Sequence, residues 1–93
     1  MITKKLVIEG LVQGVGYRVS MANKAEALGL SGWVRNRRDG TVEACVFGSE
    51  EAIDAIINWS KRGPQGAQVR NVTVSETTES PHLNAPFKII PTQ

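Results

Sequence analysis

Hydrophobic residues in this chain switch several times between a two-residue and a helical period, and the order of the switches leaves few folds open. From Lys5 to Val12 the residues alternate. Leu6, Ile8 and Val12 share one face with Gly10, while Lys5 and Glu9 share the other with Val7 and Leu11. This is the pattern of a strand with one buried face. Gln13-Gly14-Val15-Gly16 then breaks the alternation. From Tyr17 to Leu28 the period is helical, with Met21, Ala25 and Leu28 on one stripe, Ala22 beside it and Gly29 as the residue that ends it. Gly32 to Asn36 predicts a second strand, Val34 inward and Trp33 and Arg35 outward. Asp39-Gly40 predicts a hairpin turn, and Thr41 to Phe47 a third strand with Val42, Ala44 and Val46 inside.

The clearest helix follows. Ser49 is suited to cap it, Glu50 and Glu51 favour its first turn, Ile53, Ile56, Ile57 and Ser60 keep helical spacing, and Gly63-Pro64 stops it. Gln68 to Thr77 predicts a fourth strand with Val72 and Val74 on one face. Val69 is out of phase with them, which predicts a bulge or an irregular start to the strand. After a polar stretch, Phe87 and Ile89 predict a last short strand. The order is β-α-β-β-α-β with one extra strand. It predicts an α+β, ferredoxin-like sandwich: an antiparallel sheet with both helices on one face. A length of 93 residues makes one domain over 1–93, large enough for a single core. The same architecture carries enzymes, RNA binders and regulatory modules, so function has to come from particular residues.

Charge narrows the classes. A formal net charge of +2 is too small for a dedicated polyanion binder, although Arg35, Arg37 and Arg38 cluster and give a weak local preference for anions. The single cysteine, Cys45, excludes an internal disulfide and any multi-cysteine metal site, and its apolar neighbours mark it as a packing residue. Leu6 to Ile8 is too short for a signal core, and nothing approaches a membrane span, so a cytoplasmic protein is expected.

Two segments carry chemistry. Gly14-Val15-Gly16-Tyr17-Arg18 joins the first strand to the first helix. A glycine turn at a helix N-terminus points several backbone N–H groups at one place, and the helix dipole favours negative charge there. The Arg18 guanidinium could hold two phosphate oxygens at once. Alone, two glycines and an arginine also fit an ordinary turn, and the Lys-Ser/Thr pair of a P-loop is missing. The second segment is Gly32-Trp33-Val34-Arg35-Asn36. Period-two spacing from Val34 turns Asn36 inward at the strand's end. Its amide there either caps the Arg37–Gly40 turn or faces a site.

Together these segments resemble the acylphosphatase family. The first family motif stands in full as Gly10-Leu11-Val12-Gln13-Gly14-Val15-Gly16-Tyr17-Arg18. The second stands as Gly32-Trp33-Val34-Arg35-Asn36, followed by Gly40-Thr41-Val42 and Gly48. Only Val19-Ser20-Met21, just after the first motif, is less typical. The resemblance covers essentially the whole chain. It implies hydrolysis of acyl phosphates to a carboxylate and inorganic phosphate. Arg18 would bind the phosphate with the backbone of Gly14, Val15, Gly16, Tyr17 and Arg18 itself, and Asn36 would orient the attacking water. It implies no metal and no organic cofactor. The expected partner is a small acyl phosphate, with inorganic phosphate or sulfate able to occupy the same place, on a monomer that binds neither nucleic acid nor membrane.

The lack of acid–base equipment fits that reaction. His82 is the only histidine and falls in the late polar stretch, where a surface role is expected. No carboxylate pair stands near the motifs. A carboxylate leaving group departs without a proton, and a loose phosphoryl-transfer transition state asks mainly for positioning and charge stabilisation. The main competing class is a nucleic-acid binder using Trp33, Phe47 and Arg35 on the open sheet face, but the ribonucleoprotein aromatic-glycine signature is absent.

Overall fold

In the computed structural model, which describes residues 1–79 and 85–93, the chain runs β1 (Ile2–Leu11), α1 (Tyr17–Ala27), β2 (Ser31–Asn36), β3 (Val42–Gly48), α2 (Glu50–Ser60), β4 (Gln68–Glu76) and β5 (Lys88–Ile89). His82 lies outside the described residues. The five strands form one sheet in the order β4-β1-β3-β2-β5. The four longer strands pair antiparallel, as expected. The sheet as a whole is mixed, because β5 runs parallel to β2 through Trp33↔Lys88 and Val34↔Ile89. β4 and β5 occupy opposite edges. No tight turn joins them, so no hairpin imposes an antiparallel direction on β5.

The core fills one face of the sheet. Leu6 and Ile8 of β1, Val34 of β2, and Val42, Ala44 and Val46 of β3 meet Met21 and Ala25 of α1 and Ile53 and Ile56 of α2, all buried. Burying each large aliphatic side chain contributes roughly 1.5–3 kcal/mol. The period-two alternation that put Val42, Ala44 and Val46 inside is therefore what seats both helices on that face. The α2 boundaries follow their local signals. The Ala52 N–H donates to Ser49 Oγ at 3.2 Å, and Gly63 sits past the helix end at φ 67°.

The β1–β4 register runs Glu9↔Asn71 and then jumps to Gly10↔Val69. Of the bulge and the irregular start that the phase of Val69 left open, the register shows a bulge. Val74, expected on one face with Val72, is 41% exposed. It lies on the edge strand, which has a neighbour on one side only.

The other face of the sheet carries charge. Glu43 is only 6% exposed. Its Oε1 takes Nε and Nη2 of Arg35 at 2.8 and 2.7 Å, and its Oε2 lies 3.7 Å from Lys5 Nζ. The Arg35 guanidinium stacks 4.7 Å from the centre of the Trp33 ring. Cys45 is buried beside this network, and its burial pushes the thiol up to about 12. That suits the packing role expected of it and not a nucleophile.

Candidate active site

Val42 pairs with Ile8 on one side and with Asn36 on the other. β1 and β2 are each antiparallel to β3. They therefore run in the same direction and end at the same rim of the sheet. The loop that leaves β1 and the last residue of β2 meet there, although about twenty residues separate them.

The loop takes its shape from an inside-out arrangement of its own residues. Val12 and Tyr17 are buried in the core, and Val15 packs against it. Between them Gly14 and Gly16 adopt φ of 76° and 78°. A Cβ at either position would meet nothing within 4 Å. The left-handed backbone, and not crowding, therefore calls for glycine. With these apolar side chains anchored inward, Gly14 and Gly16, which have only backbone to offer, line the rim. Gly16 is also the N-cap of α1 and supplies no side-chain cap, and the first helical turn holds no acidic residue. The first ladder bond runs from the Ser20 N–H to the Gly16 carbonyl at 3.1 Å. The N–H groups of Tyr17, Arg18 and Val19 consequently have no partner within the helix, at its positive end.

A depression of about 90 Å³ opens here, lined by Gly14, Gly16, Tyr17 and Arg18 from the loop and helix, by Asn36 from β2, and by Val12 and Val19. It is roughly the space of three waters, a size suited to one small tetrahedral anion. Five of the six residues expected at a site on sequence grounds are brought together. Val15 is the exception: it does not line the depression, because its side chain is spent on anchoring the loop. Val12 and Val19 join without having been expected. Tyr17 reaches its core position by donating its hydroxyl to the Ser60 carbonyl at 2.8 Å, with its ring 5.3 Å from that of Trp59. Burial raises the Tyr17 hydroxyl well above the usual phenol range.

Asn36 Oδ1 is buried and, among the described residues, accepts no hydrogen bond. Leaving such an atom unpaired costs on the order of 1–3 kcal/mol, and exceptions of this kind need a reason. Capping the following turn is not the reason. Asp39 does that, its Oδ1 accepting the Thr41 N–H at 3.0 Å and the Thr41 hydroxyl at 2.6 Å. Those two bonds hold the Asp39 carboxyl below its ordinary range. The Asn36 amide is thus left free to face the depression, and the backbone around it is held firmly. The Gln93 N–H donates to the Asn36 carbonyl at 3.1 Å, and the Arg38 N–H donates to the Gln93 carbonyl at 2.9 Å.

Gln13 escaped the sequence reading as anything more than a motif letter. Its side-chain amide donates to the carbonyls of Arg37 and Thr41 at 2.8 and 2.9 Å, tying the loop to the base of the β2–β3 hairpin. A long amide just before a glycine turn, at the point where the alternation stops, was the available signal. The arginine cluster needs correction. Arg35 is committed to Glu43 on the open sheet face, so it adds nothing to an anion preference at the rim. Among the described residues, no three His, Cys, Asp or Glu side chains are grouped as a metal site, and no helix is long and apolar enough to cross a membrane.

Comparison with known proteins places the chain in a family. The family model for acylphosphatase matches residues 4–89. An acylphosphatase of Thiobacillus denitrificans is 56% identical over 75 residues, which cover 81% of this chain and 84% of that protein. The crystal structure of acylphosphatase from Bacillus subtilis superimposes with a TM-score of 0.88 at 33% identity, covering 97% of this chain and 99% of that one. Full-length HypF, in a phosphate- and nucleotide-bound form, matches with a TM-score of 0.86 at 30% identity, over 98% of this chain and 12% of its own. The fold is thus that of a hydrolase acting on carboxyl–phosphate anhydrides. The chain is a member of the acylphosphatase family.

Proposed function

We propose that this chain hydrolyses acyl phosphates to a carboxylate and inorganic phosphate without a metal, with Arg18 and the amides of loop 14–18 holding the phosphate and Asn36 orienting the water. The observation that carries the reading is the pairing of Arg18 and an unpartnered, buried Asn36 Oδ1 in one depression of about 90 Å³. A phosphate in the cradle would satisfy the free N–H groups at the start of α1 and meet the fork of Arg18. A water that donates one hydrogen to Asn36 Oδ1 would relieve that atom and turn a lone pair toward phosphorus.

The chemistry then needs little else. Water attacks phosphorus in line with the departing acyl oxygen, and the P–O bond to the carboxylate breaks as the new P–O bond forms. The electron pair leaves on the carboxylate, which is stable without a proton. The water's proton passes to a phosphate oxygen, so the protein supplies no base. The lining supports this route: among the described residues it contains one cation, one side-chain amide and backbone N–H groups, and no carboxylate or imidazole. Charge stabilisation falls to Arg18 and the amides, whose orientation is fixed before substrate arrives.

In the same reading the protein is one domain over 1–93, works as a cytoplasmic monomer, and accepts inorganic phosphate or sulfate in the cradle. The nucleic-acid alternative loses ground on the open face. There Trp33 is already stacked against Arg35, and Arg35 is already paired with Glu43. The test is hydrolysis of benzoyl phosphate followed by its ultraviolet absorbance, with EDTA present and no added metal. Turnover well above the buffer rate is expected. No turnover by folded protein would overturn the reading.

A further inference from the structure

The two halves of the site come from separate pieces of chain, and their separation has to be set by something. Gln13 immediately precedes Gly14, the first residue of the cradle, and Arg37 immediately follows Asn36. The half-buried Gln13 amide spans that gap. Its Nε2 carries two hydrogens, and both are used: one goes to the Arg37 carbonyl at 2.8 Å, the other to the Thr41 carbonyl at 2.9 Å. Arg37 and Thr41 are themselves joined across the hairpin base, the Arg37 N–H donating to the Thr41 carbonyl at 2.8 Å. The amide therefore grips a closed ring of backbone directly adjoining Asn36. Gln13 does not line the depression.

We infer that Gln13 is a positioning residue for hydrolysis: it fixes the Asn36 amide at its working distance from the phosphate cradle. The inference rests on the reading of the site given above. Two donors on one rigid planar group define both distance and direction, which a single bond would not. The phosphate end depends on Arg18 and the amides of loop 14–18, whereas the Gln13 side chain bonds the hairpin base at Arg37 and Thr41. Loosening Gln13 should therefore disturb placement of the water more than capture of the phosphate. Misplacement of a reacting group by about 1 Å can cost on the order of a hundredfold in rate.

The test uses Gln13→Met, which keeps length and volume but has no donor, and Gln13→Ala, each made in the wild type and in Asn36→Ala. Folding is followed by circular dichroism, and kinetics are measured with benzoyl phosphate below the melting transition. In the wild-type background kcat should fall by about tenfold to a hundredfold, while Ki for inorganic phosphate stays within about twofold. In the Asn36→Ala background either substitution should lower kcat by no more than about twofold further, because the group it positions is gone. A scaffold role would instead lower the melting temperature in both backgrounds with kcat of the folded protein unchanged. That result overturns the inference, as do losses that multiply with Asn36→Ala, a parallel loss of phosphate affinity, or failure of both Gln13 variants to fold. If Asn36→Ala itself retains full kcat, the underlying reading of the site falls and takes this inference with it. Wild-type activity that survives in both Gln13 variants but not in Asn36→Ala removes the inference alone.

Discussion

The Tyr17 hydroxyl donates to the Ser60 carbonyl at 2.8 Å, joining the first residue of α1 to the last of α2. Both partners are buried, and neither would find water if the other were removed. Tyr17→Phe should therefore lower unfolding free energy by about 1–2 kcal/mol, read from urea or thermal unfolding. The hydroxyl also predicts alkaline behaviour. Its folded-state pKa is raised above the ordinary value of 10.0. The folded state thus holds a proton that the unfolded state releases, and stability is full below pH 10 and falls as pH rises above it. One such group contributes a slope of up to about 1.4 kcal/mol per pH unit. Cys45, raised from 9.0 to about 12, adds the same sign between those values. Tyr17→Phe should flatten the curve above pH 10, and Cys45→Ala should flatten it from pH 9. An unchanged curve in both variants would refute the burial argument.

Arg18 and Asn36 should fail differently. Arg18→Ala removes a cation that serves ground and transition states alike, so phosphate inhibition and turnover should be lost together. Arg18→Lys should rescue little, because a point charge does not reproduce the guanidinium fork. Asn36→Ala should lower kcat by roughly a hundredfold, in line with the loss of one oriented hydrogen bond at a reacting centre. Its Ki for phosphate should stay near the wild-type value. Steady-state kinetics with phosphate as competitive inhibitor separate the two patterns. A raised KM with normal kcat in Asn36→Ala would remove the assigned role.

Gly16→Ala tests whether the cradle is a backbone conformation. The added methyl meets nothing within 4 Å, so sterics alone predict tolerance. The φ of 78° predicts a cost of about 1–2 kcal/mol in stability, or a local shift of the loop that relieves it. Either way phosphate affinity should drop several-fold, as titration calorimetry would detect. An alanine variant with wild-type stability and affinity would show that the left-handed conformation is not needed.

Glu43 is a buried carboxylate held by Arg35 and, more distantly, by Lys5. Arg35→Ala removes its closest partner and exposes the Trp33 ring. It should cost about 2–4 kcal/mol, toward the range for orphaning a buried ion. The double variant Arg35→Ala with Glu43→Ala should recover part of that loss. Equilibrium unfolding of the three variants measures the coupling, and strict additivity would contradict the network.

What could be read from the sequence follows the distance over which each feature is decided. The helix of Glu50–Ser60 was readable almost to the residue, because Ser49, the two glutamates and Gly63-Pro64 act within a turn or two of where they stand. The inward faces of β1, β2 and β3 were readable because period-two alternation is local as well. The direction of β5 was not, since it depends on which distant strand lies beside it. The exposure of Val74 was not, since alternation gives a face and not whether anything covers it. The burial of Glu43 required knowing that Lys5 and Arg35 flank it from two strands. Arg18 and Asn36 were legible through their motifs as candidates, and the fold brings both to one depression. That the Val15 side chain would turn into the core was not legible, because a loop residue can offer its backbone to one side while its side chain packs on the other. Gln13 acts on a hairpin base that meets it only after folding.

β3 contributes no side chain to the proposed reaction, yet it lies between the two strands whose ends do. A fragment stopping short of Val42 would contain Gly14, Gly16, Arg18 and Asn36 and still lack the wedge that brings their carriers level. Catalytic competence is therefore a property of the closed sheet and cannot accumulate in proportion to the chain already ordered. Turnover should switch on during refolding only once β3 has joined both neighbours. For this molecule the rate of phosphate release becomes a clock for the arrival of a strand that never touches substrate.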